Sequence, residues 1–545
     1  MVTIASIVRE VLDKVHSYNL TLEQMLAEAL EISKRTVIHE AKAPTAGVRG
    51  PPGTGKTKIM EGLINDEDVI DELLNNNIKF VYVAPTNELT ISGFRRALMP
   101  IMRRLMESSY DIARILSMVR IYGSAVPAPY LGRDFELLRN INNKIDKDLL
   151  KKIVYGGIDD ALFIFTTDYQ RASARSRGSS HKFIMFVDEA SKSPFYLPFN
   201  PISDSELRIL ASGNKSGVTH GLVVVGDDRQ AIALGPEYQG FSKSLLVLPK
   251  IEEVLKSLGL DEQFKTLRVT FRLPSPTEEP IGDGFYGDVG GLRAYEEARI
   301  RIKSVFKGMD IRERFNKCEK ARDDPLWYNV IRMLDLALGD LEDPKPIIIA
   351  NTQREIPSGQ QFEPCRVKLA VYFALALSCL SEKSLGISII APYRELVDAA
   401  RFYYRKLNNI TGVNRTNIRF LTVQSMLGGE DDIIISMLGK EWNPKHDEPT
   451  IYFREPENLN VQFSRHRLML IVIGNVIRLR NTAADTAQVM GLSGYNAQDI
   501  VRIRKTLDIM LELAGISGLS SRRRAEDIRS EYSGDGAILR KVICP

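Results

Sequence analysis

Gly50-Pro51-Pro52-Gly53-Thr54-Gly55-Lys56-Thr57 is a complete G-x-x-x-x-G-K-[ST] phosphate-binding sequence. Its glycines let successive backbone N–H groups turn toward one point and form an anion nest. Lys56 would reach the β- and γ-phosphates of a nucleoside triphosphate, and the Thr57 hydroxyl would complete the shell of a magnesium ion. A second constellation, Asp188-Glu189-Ala190-Ser191, directly follows the apolar run Phe183–Val187. An acidic pair at the carboxyl end of a parallel strand lies beside the phosphate loop in such folds. Asp188 would hold Mg²⁺ through water, and Glu189 would orient or deprotonate the attacking water. A third, Gly226-Asp227-Asp228-Arg229-Gln230, ends another apolar run. Gln230 could reach the γ-phosphate and sense its hydrolysis; in isolation the segment reads as a polar turn.

This chemistry needs strands that end beside the loop and a helix that starts from it. Ala46–Arg49 reads as a short strand, and Lys58–Ile64 as a helix opening. From about 46 to 265, apolar runs alternate with helical stretches, the pattern of a parallel sheet. Candidate strands are Lys79–Ala84, Leu162–Thr166, Phe183–Val187 and Gly221–Gly226. Phe135, Leu138, Ile141, Ile145, Leu149 and Ile153 recur at helical spacing and suggest a small helical insertion at about 125–160. A second series offers Ile347–Ala350, Gly386–Ile390, Ile418–Leu421, Asp432–Met437 and Leu468–Ile473. The expected fold is α/β, with two parallel-sheet domains in tandem at 46–270 and 344–480. Amphipathic helices at 1–45 precede them, Thr21-Leu22-Glu23-Gln24 being a capping box, and a connector with helices covers 271–343. At 481–545, a helix with one apolar face (Ile500, Ile503, Leu507, Met510, Leu511, Ala514) stops at Gly515 before a basic, poorly ordered tail. Only the first sheet carries a phosphate loop, so the nucleotide is expected between the two sheets, with the second supplying groups in trans.

Composition sets wide bounds. The 545 residues are 44% hydrophobic and 26% charged, ordinary for globular proteins. A net charge of +4 admits a polyanion partner without demanding one. Basic residues cluster at Arg95, Arg96, Arg103 and Arg104, at Arg171–Lys182 and at Arg522-Arg523-Arg524. The four cysteines show no C-x-x-C pair or adjacent histidine pattern, which favours free buried thiols in a reducing compartment. The start lacks the basic-then-apolar order of a signal peptide, and the longest apolar run, Leu369–Leu380, is short for a bilayer and reads as a core helix. A cytoplasmic or nuclear protein, off the membrane, is expected.

Taken in order, the motifs resemble the superfamily 1 helicases, and within them the up-frameshift group. Val83-Ala84-Pro85-Thr86-Asn87 matches motif Ia, and Phe165-Thr166-Thr167 the strand end before the acidic pair. DEAS matches motif II, GDDRQ the GD-x-x-Q of motif III, and Ser242-Lys243-Ser244-Leu245 the SLF-type segment. Leu267-Arg268-Val269-Thr270-Phe271-Arg272-Leu273-Pro274 resembles L-x-x-Q-Y-R-M-H-P, with Phe285-Tyr286-Gly287 and Leu292 as its sequel. Ile390-Ala391-Pro392-Tyr393-Arg394 resembles the T-P-Y-R motif, and Thr422-Val423-Gln424-Ser425 through Gly428-Gly429-Glu430 the T-V-D-S-F-Q-G-x-E motif. Asn460–Arg467 is similar to N-V-A-L-T-R-A-R, closed by Gly474-Asn475.

The resemblance spans about 46–475 and implies two RecA-like domains, ATP and Mg²⁺ as cofactors, and a monomeric ATP hydrolase moving 5′→3′ on single-stranded RNA or DNA. Gly50 through Thr57, with Gly428, Glu430 and Arg467, would serve the nucleotide. Arg272 and Arg465 would neutralise the charge that spreads over the γ-phosphate oxygens, their planar forks bridging two oxygens at once. Pro85, Thr86, Asn87, Thr166, Thr167, Pro392, Tyr393, Arg394, Thr422 and Ser425 would line the strand track, suited to phosphate and sugar contacts that position without reading sequence. Tyr393 could stack a base or be a buried aromatic, and a recruiting protein is a further partner.

The sequence departs from the family in places. No glutamine occurs in 25–49, where the family's adenine-reading residue is expected; Gln424 replaces an Asp, Leu427 a Gln, Leu396 a Gln and His466 a small residue. The segment before the loop is too short for the family's barrel and zinc domains, implying a minimal relative. Two other classes compete: a nucleic-acid-stimulated ATPase switch without unwinding, and a ring-forming AAA+ remodeller, against which the GD-x-x-Q element and the arginines of the second sheet argue.

Overall fold

The computed structural model describes the chain except residues 1–3, 15–23, 43, 123–135, 137–138, 141–145, 169–181, 193–218, 231–245, 308–312, 314–323, 355, 357–359, 381–384, 412–417, 427, 442–449, 489–496, 517–530 and 544–545. It is a mixed α/β chain with two seven-stranded sheets. The chain divides into two units. Met1–Gly50, Thr54–Asp228 and Leu234–Leu267 form the first, and Pro51–Gly53, Arg229–Ala233 and Arg268–Pro545 the second. Helices of the 271–343 stretch therefore belong to the second unit.

The first sheet contains β1 (Thr45–Arg49), β2 (Ile78–Ala84), β3 (Val119–Tyr122), β4 (Phe163–Thr167), β5 (Lys182–Val187), β6 (Thr219–Gly226) and β7 (Phe264–Thr266). All pair in parallel, in the order β3-β4-β2-β5-β6-β1-β7. Helices cover both faces, so the strands are apolar runs rather than alternating ones. Val81, Val83, Ile164, Met185, Val187, Leu222 and Val224 share one core. The helix Lys56–Asn65 starts from the phosphate loop and buries Ile59, Met60, Leu63 and Ile64. The N-terminal helices are Ile4–Lys14 and Gln24–Val37, while Thr21 of the expected capping box lies outside the described residues.

β3 has no counterpart in the sequence reading, because Arg120 interrupts its short apolar run. The guanidinium is buried and fully used, donating to the Ser117, Val119 and Gly157 carbonyls at 2.8 Å and to Asp160 at 2.6 Å. Most of the expected helical insertion lies outside the described residues; its described helix, Lys147–Tyr155, packs on β3.

A two-stranded ladder, β8 (Val269–Thr270) with β9 (Arg293–Ala294), opens the second unit. Its large sheet has β10 (Ile347–Thr352), β11 (Ile387–Ala391), β12 (Ile418–Thr422), β13 (Asp431–Met437), β14 (His466–Gly474), β15 (Glu531–Ser533) and β16 (Ala537–Val542), in the order β12-β11-β13-β14-β10-β16-β15. Every pair is parallel except β15 with β16. Alternate residues serve opposite cores: Ile348 and Ala350 face the helices Pro325–Leu338 and Pro364–Leu380, whereas Ile347 and Ile349 face Ala497–Leu513. The run Leu369–Leu380 lies in Pro364–Leu380, which is buried nearly all round, and among the described residues no helix is long and apolar enough to cross a membrane.

Two expectations are corrected. The C-terminal tail is not loose throughout: β16 inserts beside β10, with Ala537, Ile538, Leu539 and Val542 buried, because its apolar residues complete both cores. Arg522-Arg523-Arg524 lie outside the described residues. Cys365 and Cys379 are not free thiols, contrary to expectation. Cys365 and Cys379 are both disulfide-bonded, and among the described residues no cysteine is free. Roughly four turns and about 21 Å apart on one helix, they are not each other's partners. The cysteine spacing gives no sign of these bonds, and the inference of a reducing compartment loses its basis. Alkylation of the denatured, unreduced chain should leave Cys365 and Cys379 unlabelled, and reduction should lower the melting temperature, each bridge contributing about 2–4 kcal/mol.

Candidate phosphate site and its arginines

In the first unit the loop leaves β1 beside β6: the Gly50 N–H donates to the Gly226 carbonyl at 2.8 Å. Gly53 and Gly55 have φ of 71° and 85°, the left-handed conformations that turn the loop's amides inward. Gly55 caps the helix Lys56–Asn65, whose N-terminus adds its partial positive charge. Lys56 Nζ donates to the Gly50 carbonyl at 2.5 Å, folding the lysine across the mouth of the loop. Thr54 is buried, and Thr57 partly so.

β5 delivers Asp188 and Glu189 at its carboxyl end, both buried. Asp188 Oδ2 accepts from the Tyr82 hydroxyl at 2.8 Å, and Asp188 Oδ1 from the Glu189 N–H at 2.8 Å. Tyr82 holds that position because Gly93, on the helix Asn87–Glu107, has no side chain; a Cβ there would lie 2.4 Å from the ring. Burial and the neighbouring Glu189 charge raise the Asp188 pKa, while the Tyr82 hydrogen bond and the Lys56 charge oppose them. Glu189 adopts φ 51°, a strained conformation for a residue with a Cβ. Magnesium takes one or two carboxylates beside phosphate oxygens and waters. Two carboxylates buried side by side, with the Thr57 hydroxyl at the helix start, fit that requirement; Thr57 and Asp188 would hold the ion, which would neutralise phosphate charge.

In the second unit, Gly53 lies against Arg272. The Gly53 carbonyl accepts from the Phe271 N–H at 2.9 Å, and a Cβ on Gly53 would stand 2.3 Å from Arg272 Cβ. Arg272 Nε donates to Glu430 Oε2 at 2.6 Å, Arg272 Nη1 to the Ser464 carbonyl at 3.3 Å, and Arg467 to Glu430 Oε1. Burial would raise the Glu430 pKa, but the Arg272 and Arg467 charges override it and hold the group at about 2. Gly428, two residues earlier, is an exposed turn with φ 77°. Buried Arg465 donates through Nη2 to Oε1 of buried Gln230. Asn460 Nδ2 donates to the Arg229 carbonyl at 2.5 Å and to the Tyr286 hydroxyl at 2.9 Å. Arg229 and Gln230 are thus tied to the Asn460–Arg467 element.

Sequence reasoning missed several contributors. Arg301 donates to the Arg272 carbonyl at 2.6 Å, the Phe271 carbonyl at 2.9 Å and the Arg467 carbonyl at 3.1 Å, fixing two arginine-bearing segments. No motif marks it. Leu26, on the helix Gln24–Val37, approaches Gly55 of the loop. His466 is fully buried, and neither ring nitrogen has a hydrogen-bond partner among the described residues. Burial, then the Arg272 and Arg301 charges, lowers its pKa to about 3, so the ring is neutral. Unfolded, it would take a proton below about pH 6.5, so stability falls as pH drops from there toward 3. His466→Leu should remove this slope. Between pH 7.5 and 5.0, urea unfolding should show wild type losing about 2 kcal/mol more than the variant.

The strand-track candidates divide. Pro85, Thr86 and Asn87 form the mouth of the helix after β2, with Thr86 as its N-cap. Thr166 and Thr167 are buried, the Thr166 hydroxyl donating to the Thr167 carbonyl at 3.1 Å. Pro392 is buried, Tyr393 lies against Gly439, and the Arg394 side chain is 86% exposed. The Thr422 and Ser425 hydroxyls bond each other at 2.9 Å. Among the basic clusters, Arg95 pairs with Glu10, Arg103 with Glu107, and Arg104 with Glu67 and Glu107. Arg171 to His181 lie outside the described residues.

No protein-family profile matches the chain, and no curated protein matches it significantly. What the fold defines by itself is an α/β protein of two seven-stranded sheets, the first wholly parallel and ending at a phosphate-loop sequence.

Proposed function

We propose that the chain is an ATP hydrolase of the superfamily 1 helicase type, built on two RecA-like sheets and driving 5′→3′ movement on single-stranded RNA or DNA. The observation that supports this most is the packing of Arg272 against Gly53, a residue of the phosphate-binding sequence. Lys56 and the loop amides bind the triphosphate, Glu189 orients or deprotonates the attacking water, and Gln230 senses the γ-phosphate. Arg272 and Arg465 stabilise the charge that develops on transfer. For Arg272 this means exchanging its Glu430 partner for phosphate oxygens, which couples nucleotide binding to the segment carrying Thr422 and Ser425.

A second reading, an ATPase switch without unwinding, is favoured by the buried Thr166 and Thr167 and by the mutual Thr422–Ser425 hydrogen bond, which leave fewer groups to grip a strand. One assay separates the readings. ATPase rate is measured with and without single-stranded RNA and DNA, followed by separation of duplexes with 5′ or 3′ tails. The motor predicts at least about tenfold stimulation and unwinding from a 5′ tail; stimulation without unwinding selects the switch. No stimulation by either polymer refutes both.

A further inference from the structure

The chain leaves the first unit for the second at three places: after Gly50, after Asp228 and after Leu267. One residue holds the first-unit side of all three. Arg49 is bonded covalently to Gly50. Its carbonyl accepts from the Leu267 N–H at 2.8 Å. Its side chain donates from Nε to Asp228 Oδ1 at 2.7 Å. The fork is completed by Nη2 donating to Glu252 Oε2 at 2.5 Å, and the guanidinium stands 5.2 Å from the centroid of the Phe264 ring on β7. Arg49 is 5% exposed, the last residue of β1, in register with Gly226 on β6 and Thr266 on β7. Beyond each exit stands a group of the proposed reaction: Gly53 after the first, Gln230 after the second, Arg272 after the third.

We propose that Arg49 is a positioning residue that binds Gly50, Asp228 and Leu267 into one anchor of the first unit, from which the phosphate loop, the Gln230 segment and the Arg272 segment each continue. The inference rests on the ATPase reading for its consequence, not for its geometry. A planar fork is what the position requires, since two carboxylates must be held from one side chain while an aromatic ring packs on it. A lysine offers one point charge and could hold only one of them. Because Arg49 touches none of the reacting groups, its loss should leave the nest of amides intact and mis-set the groups that follow the exits.

The test uses the full chain with Arg49→Met, which keeps an apolar stem against Phe264, and Arg49→Lys. Hydrogen exchange without nucleotide should accelerate in Arg49→Met at 226–228 and 264–268 together, with the β2 and β4 amides unchanged; Arg49→Lys should lie between it and wild type. Affinity for a fluorescent ATP analogue with magnesium should stay within about threefold while kcat falls at least about twentyfold, a split that general destabilisation would not give. In a Gln230→Ala background Arg49→Met should cost little more, because both act through one segment. Exchange unchanged at both exits, or multiplicative loss of kcat in the double variant, overturns the proposal. Should wild type hydrolyse no ATP, the functional reading fails, and the exchange comparison still decides the anchor. If Arg49→Met does not fold, Asp228→Asn and Glu252→Gln replace it, the first expected to loosen 226–228 and the second to have the smaller effect.

Discussion

Glu189→Gln should reduce ATP turnover by about a hundred- to a thousandfold while leaving nucleotide binding intact. The substitution keeps the side chain's size and its place at the end of β5. It keeps the backbone conformation too, since Gln meets the same strain as Glu at φ 51°. The Glu189 N–H can still donate to Asp188 Oδ1, so the geometry of Asp188 and Tyr82 survives. What is lost is a carboxylate able to accept a proton from water. Removing that charge also eases Asp188, whose pKa is raised by burial and by Glu189, and so should favour the ionised form that binds magnesium. Phosphate release at saturating ATP, compared with equilibrium binding of a fluorescent analogue, separates the two effects. A variant that hydrolyses at the wild-type rate would remove Glu189 from the reaction, and with it the assignment of Asp188-Glu189 as the acidic pair.

The strands that carry these groups were legible because both faces of each sheet are covered. Ile347-Ile348-Ile349 reads as a continuous apolar run only when odd and even positions each have a core to enter, as they do. Two of the strands that escaped notice carry a buried or paired arginine. β3 holds Arg120, neutralised by Asp160 and three carbonyls, and β16 holds Arg540, which pairs with Glu531 and donates to Asn329 at 3.0 Å. Local pattern marks such residues as surface, whereas the tertiary structure supplies partners no window contains. The same limit applies to the site. Residue types and spacing singled out the loop, the acidic pair and the arginines, but not their partners. Arg272 and Glu430 are 158 positions apart, and Gln230 and Arg465 are 235. Arg301 belongs to no motif, and its three carbonyl partners follow only from the fold. The disulfides at Cys365 and Cys379 likewise depend on chain paths that spacing does not encode.

Arg465→Ala should lower kcat at least about a thousandfold, the low end of the range for an arginine serving phosphoryl transfer. The structure explains why the loss should exceed that of one charge. Arg465 Nη2 holds Gln230 Oε1, and the Arg229 carbonyl next to it is held by Asn460, so arginine and glutamine form a pair carried by one ladder of contacts. In the proposed reaction, deleting the guanidinium would remove charge from beside the γ-phosphate together with the hydrogen bond that Arg465 gives Gln230. Arg465→Lys should recover little, since an ammonium cannot hold the amide and a phosphate oxygen in one plane. Losing the hydrogen bond between the charged guanidinium and the Gln230 amide costs about 1.5–3 kcal/mol, which the well-filled cores of the chain should withstand. Nucleotide affinity should change little if, as proposed, the loop amides and Lys56 carry ground-state binding. A fall in affinity with kcat preserved would make Arg465 a ground-state ligand. Normal hydrolysis would place the charge that triggers transfer on another residue, with Arg272, already against Gly53, the next to substitute.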